Sequence, residues 1–166
     1  EQRAESLRER EAFLNFAPED EMLLKVYCLT WNMFGRPPPP RADLEQFIHT
    51  GVFDIYVIGT EECENSIQKS LLFSSKAKWV AALTEIMGDS YAPVAAETMQ
   101  AIHLIVFVRK ELCMFVNNVE SERVPTGYGD ILGNKGAVAV SMDIGTHSFL
   151  FVNSHFQSGE GAAHKR

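Results

Sequence analysis

The chain has 166 residues, of which 46% are hydrophobic and 22% charged, the composition of one ordinary globular domain. Its net charge of −7, from 15 Lys+Arg against 22 Asp+Glu with no basic run, makes it a poor general DNA binder, because such binding rests on neutralising phosphates; a small basic pocket for one phosphorylated ligand stays open. The longest apolar runs fall far short of the roughly 20 residues of a membrane span, and Cys28, Cys63 and Cys113 form no Cys-x-x-Cys zinc pair.

An odd cysteine count with no signal peptide favours a reducing, cytoplasmic setting. Cys28 and Cys113 lie in apolar runs and are expected as buried, reduced thiols. Residues 1–22 are charged and helix-prone and read as a flanking segment, bounded by Pro18 and the acidic Glu19-Asp20-Glu21; the domain proper is placed at 23–166. Residues 24–31 alternate and are rich in strand formers, which predicts a strand ending at Asn32, where Gly35 and the tetraproline 37–40 forbid further regular structure. A helix is predicted over 43–49 with Leu44, Phe47 and Ile48 inward, then a nearly all-apolar strand over 53–59, suited to burial on both faces. A short helix over 66–73 precedes a stronger one over 78–87. In the latter Trp79, Leu83, Ile86 and Met87 share a face and Gly88 can end the helix. Strand-like runs follow at 91–95, 102–108, 112–119, 137–144 and 149–153. Helices early and many strands late predict a layered α/β or α+β sandwich.

Three predicted strands end in polar residues: Asn32, Glu61-Glu62, and Asn153-Ser154-His155. Ligand sites of layered sheets gather beyond strand ends, so these form a candidate pocket rim. A carboxylate beside an amide oxygen suits Mg²⁺, a hard cation, and a histidine can hydrogen-bond a phosphoryl oxygen or move a proton. Read singly, Glu62 is equally a solvated turn carboxylate, Asn32 a turn residue and His155 a strand-end histidine. The segment from Thr126 to Gly136 surrounds Lys135 with glycines and Asn134 just before a strand. Glycines let backbone amides approach an anion, but the P-loop order is missing, and an ordinary hairpin turn is the plain alternative.

Together the segments Trp31-Asn32-Met33-x-Gly35, Ile58-Gly59-Thr60-Glu61-Glu62, Thr126-Gly127 through Gly133-Asn134-Lys135-Gly136, and Phe151-Val152-Asn153-Ser154-His155-Phe156 resemble the inositol polyphosphate 5-phosphatases in order and rough spacing. The resemblance covers about residues 24–166 and implies a DNase I-like fold of two packed sheets flanked by helices, here incomplete. It implies Mg²⁺-dependent hydrolysis of the 5-phosphate of an inositol polyphosphate or phosphoinositide head group, with no nucleic-acid partner. By the same resemblance Glu62 is the direct metal ligand and Asn32 a metal-side residue. Lys135 and Asn134 serve a substrate phosphate, His155 hydrogen-bonds the scissile one, and Asn153 belongs to the catalytic strand end.

Two departures stand out. Position 61 is Glu where the family usually has Gln, and the family's Gly-Asp-x-Asn, Pro-x-Trp-x-Asp-Arg and Ser-Asp-His segments do not occur in these residues. Residues 1–166 alone are therefore expected to be inactive and, as half of a sandwich, to expose the inner face of a sheet and self-associate. A DNase I-like endonuclease and a non-catalytic phosphoinositide-binding fragment are the alternatives. Peripheral membrane contact is left open.

Overall fold

Two strands read as uninterrupted apolar runs because both of their faces are covered. The computed structural model describes residues 23–63, 76–126 and 135–157; the flanking segment 1–22 and the helix expected at 66–73 lie outside them. Strand β2 (Ile55–Glu61) is buried at every position, and β4 (Ile102–Arg109) at all but its last. Both sit inside a four-stranded sheet A of order β1-β2-β4-β3, edged by β1 (Val26–Asn32) and β3 (Tyr91–Met99). β1 and β2 run parallel; the other two pairings are antiparallel. Pro93 falls on edge strand β3, where a missing N–H is tolerated, and the register shifts between Pro93 and Ala95.

Alternation along β2 and β4 divides the core in two. Tyr56, Ile58, Ile105 and Phe107 point outward to Leu44, Ile48, Trp79, Leu83 and Ile86. Ile55, Val57, Leu104 and Val106 point inward to Val138, Val140, Met142 and Ile144. Those inward partners belong to sheet B, an antiparallel meander of β5 (Val116–Pro125), β6 (Gly136–Ile144) and β7 (His147–His155). Each fully buried large side chain contributes about 1.5–3 kcal/mol.

Helix α1 (Arg41–Leu44) and helix α2 (Ala77–Met87) cover the outer face of sheet A. In α2 the buried residues are Trp79, Leu83, Ile86 and Met87, and the helix stops at Gly88 (φ 62°), as predicted. The helix expected over 43–49 is corrected: only Arg41–Leu44 is helical, after Pro40, and turns follow. Leu44 and Ile48 still reach the core, each no more than 2% exposed. The strand expected over 112–119 is corrected too. Lys110–Phe115 is a 3₁₀ turn whose Leu112 and Phe115, three apart, bury together, and the strand begins at Val116.

The two sheets cover most of each other's inner faces, so the expectation of a bared inner face holds only at β1, where Cys28 and Thr30 stay exposed. The apolar exposure lies elsewhere. On the outer face of sheet B, Leu150 and Val152 are 68% and 57% exposed. A groove of about 300 Å³ opens between the sheets beside β1 and β7, lined in part by Cys28, Val57, Leu104 and Phe151. This corrects the thiols as well: Cys28 is exposed on the groove side of β1, Cys113 half-buried and Cys63 buried. Among the described residues, no helix is long and apolar enough to cross a membrane.

Candidate active site

Strand direction gathers the site. Because β1 and β2 are parallel, their C-terminal ends lie side by side, with Asn32 opposite Glu61. β7 finishes and β6 starts at the same edge, with Gly136 opposite His155. The stretch between Thr126 and Lys135 is tied at its ends by the Thr126 N–H bond to the Lys135 carbonyl, 2.8 Å. Gly136 must be glycine: its φ is 138°, and a Cβ would stand 2.1 Å from the Val124 carbonyl oxygen. That close approach sets Lys135 beside His155.

Glu62 follows β2 with φ 51°, a left-handed conformation that costs a carboxylate residue on the order of 1 kcal/mol. The loop after β1 holds it there. Met33 N–H donates to the Glu61 carbonyl and Gly35 N–H to the Glu62 carbonyl, both at 2.7 Å. Asn32 shapes that loop by accepting the Phe34 N–H on Oδ1 at 2.9 Å. The carboxylate of Glu62 comes out 40% exposed, with Oε1 3.4 Å from His155 Nε2.

The Lys135 ammonium touches the same imidazole nitrogen. Burial first, and then Lys135, hold His155 below its ordinary pKa, while Glu62 and Glu61 pull the other way. A neutral imidazole accepts the Lys135 proton at Nε2 and has none there for Glu62. The Glu62–His155 approach is thus a near contact awaiting a proton rather than a formed ion pair. Glu61, 7% exposed, accepts the Thr30 hydroxyl on Oε1 at 2.8 Å.

The structure therefore brings Asn32, Glu62, Lys135 and His155 to one edge. Asn153 stands two residues before His155, only 5% exposed, with its amide directed into sheet A. Asn134 lies outside the described residues. Among the described residues no group of three or more His, Cys, Asp and Glu is arranged to hold a metal. Glu62, the second oxygen of Glu61 and the Asn32 amide are nonetheless hard oxygen donors at one edge. They fit a divalent cation that takes one or two carboxylates and completes its shell with water and substrate phosphate. Thr30 and Gly59 were not singled out by their chemistry; the signal for Gly59 was a lone glycine inside a buried strand.

Residues 29–166 match the model of Endonuclease/Exonuclease/phosphatase family 2, and the chain belongs to that family. Within it, the chain is 33% identical over 97% of its length to phosphatidylinositol 3,4,5-trisphosphate 5-phosphatase 2 of Sus scrofa. It is 31% identical over 94% of its length to phosphatidylinositol polyphosphate 5-phosphatase type IV of Mus musculus. It spans 14% and 23% of those two proteins. Among solved structures it is similar to the inositol polyphosphate 5-phosphatase domain of SPsynaptojanin, in complex with inositol (1,4)-bisphosphate and calcium ion. That match has a TM-score of 0.71 and 25% identity, over 98% of this chain and 47% of that one. The resemblance read from the motifs and the two-sheet layered fold are borne out. A Cimex nitrophorin, solved as a ferrous NO complex, shares the fold alone, with a TM-score of 0.63 and 14% identity over 84% of this chain and 49% of that one. Function must accordingly be argued from the site.

Proposed function

We propose that this chain supplies the metal-side and phosphate-side residues of a phosphoric monoester hydrolase that removes the 5-phosphate from an inositol polyphosphate or phosphoinositide head group. The observation that carries the reading is the meeting of Glu62, Lys135 and His155 at one edge. Glu62 and Asn32 would hold Mg²⁺, which when bound offsets charge on the scissile phosphate. Lys135 pairs with a neighbouring phosphate and so leaves His155. Without that ammonium, and with a phosphate close by, the imidazole takes up a proton and donates it in a hydrogen bond from Nε2 to a phosphoryl oxygen.

The chain corresponds to 47% of the SPsynaptojanin domain, and phosphate-monoester hydrolysis requires accelerations of up to ~10²¹. Residues 1–166 alone are therefore expected to lack appreciable turnover. The setting is cytoplasmic, with peripheral membrane contact when the substrate is a lipid. The test is phosphate release from a 5-phosphorylated inositol polyphosphate, with Mg²⁺ and with chelator, by the protein that carries this chain and by residues 1–166. Mg²⁺-dependent release by the former alone is the expected result. Nicking of supercoiled DNA instead would establish an endonuclease. Head-group binding without release, lost on Lys135→Ala, would establish a binding module.

A further inference from the structure

We propose that Asn153 is a positioning residue: with Gly59 it forms a clasp between the two sheets that holds the His155 side of the site against the Glu62 side. The clasp is visible in three polar contacts and one steric one. Asn153 Nδ2 donates to the Thr60 carbonyl at 3.2 Å and to the His103 carbonyl at 3.0 Å, so one amide from sheet B joins β2 and β4 of sheet A. Its Oδ1 lies 3.5 Å from Thr30 Oγ1, the hydroxyl that holds Glu61. The carboxamide rests on Gly59, where a Cβ would stand 2.6 Å from Asn153 Cγ and 2.8 Å from Oδ1.

Gly59 has no positive φ to demand a glycine. What demands it is the room taken by the amide. Backbone carbonyls within a ladder normally serve their strand partners, so a side chain that bonds two of them is a specific bridge. Lys135 and His155 are fixed to each other by the β6–β7 register, and Asn32 to Glu61 by the β1–β2 register. Between those two rigid groups, Asn153 is a tie inside the core beside the site. Asn153 itself is 5% exposed, and its two amide hydrogens are committed to carbonyls, so it does not touch the substrate.

The catalytic part of this inference rests on the proposed phosphatase reading; the clasp does not. The experiment is a double-mutant cycle in the protein that carries this chain, with Gly59→Ala, Asn153→Ala and the two combined, read by unfolding midpoint and by kcat and KM. Gly59→Ala should lower the midpoint sharply beside Asn153 and very little in the Asn153→Ala background, where the new methyl enters vacated space. Asn153→Ala should lower kcat by about 10²-fold and leave KM within about threefold, as expected of a small misplacement between reacting groups. Asn153→Asp keeps the shape but sets oxygens against two carbonyls, and should be no better than alanine.

Arg109→Ala, at the far end of the sheet, lowers stability and should leave kcat within about twofold. Additive midpoints for Gly59→Ala and Asn153→Ala would overturn the clasp, as would a wild-type-like Asn153→Asp. A kcat loss in Asn153→Ala no larger than in Arg109→Ala would overturn positioning. Should Gly59→Ala fail to fold, recovery of folded protein in the double variant carries the same support. Continued failure beside a folded Asn153→Ala overturns it. If the parent protein releases no phosphate, the phosphatase reading fails while the unfolding cycle still decides the clasp.

Discussion

A cation and a carboxylate stand at each end of sheet A, Arg109 with Asp54 at one and Lys135, brought by sheet B, with Glu62 across His155 at the other, and the two ends are built differently. At the far end Arg109 Nε donates to Asp54 at 3.2 Å, its Nη2 donates to the Gly51 and Phe53 carbonyls at 3.1 and 3.2 Å, and the guanidinium lies 5.3 Å from the Tyr91 ring centre. Asp54 also accepts the Lys25 N–H, and Tyr91 donates to the Phe53 carbonyl. These donors and acceptors are matched. At the site end Lys135 and Glu62 press on a single imidazole nitrogen, and Glu62 sits on a left-handed backbone. A matched network stabilises; a mismatched, half-open one is completed by a ligand.

The largest expected effect follows at the mismatched end. Glu62→Gln should cost about 10³-fold in kcat while leaving the unfolding midpoint close to wild type, because the half-exposed carboxylate is held, among the described residues, only by the long approach to His155. A large loss of stability with normal turnover would reverse the assignment of the two ends.

Next comes a pH effect at the same end, on the opposite face. His103, 1% exposed, pairs across the strands with Thr60, and its Nδ1 meets the Thr98 hydroxyl at 2.8 Å. Burial, then Lys76, pushes its pKa down to about 4, against the opposing pull of Glu97. The unfolded chain therefore takes up this proton near its ordinary value of 6.5, and the folded chain only near 4. Stability is full above about pH 6.5 and falls by about 3 kcal/mol on the way to pH 4. Denaturant titrations of wild type and His103→Gln should separate, the variant losing most of this slope.

At the matched end, Arg109→Ala should cost about 2 kcal/mol in urea unfolding, the worth of charged hydrogen bonds left unmade. The smallest effect is expected at Glu61. Glu61→Gln keeps an acceptor for Thr30 and removes one charge, so kcat/KM should change by less than about tenfold, and under the proposed reading the divalent-cation concentration needed should shift. A change as large as that of Glu62→Gln would make Glu61 an equal partner in holding the cation.

Much of the fold was legible wherever pattern and period were strong. The alternation over 24–31, the apolar run over 53–59 and the four-residue spacing of Trp79 and Leu83 each gave the right element. The apolar run 112–119 misled because Leu112 and Phe115 bury with a period of three, which a short run does not distinguish from two. Cys28 misled because burial on edge strand β1 depends on how far sheet B covers it, which the local run 24–31 does not carry. At the site, the motifs supplied Asn32, Glu62, Lys135 and His155. The bridge made by Asn153 was hidden because its acceptors are backbone carbonyls, which carry no residue signature.

Those acceptors also set a timetable. Asn153 reaches Thr60 across 93 residues and His103 across 50, whereas every strand of sheet A lies within residues 26–109. During synthesis sheet A is complete before Asn153 leaves the ribosome. Contacts of such long sequence separation form late, after costly loop closure. The latch should accordingly be absent from the folding transition state. Loosening it should speed unfolding and leave the folding rate nearly unchanged, so that it governs how long the assembled site lasts more than how quickly it forms.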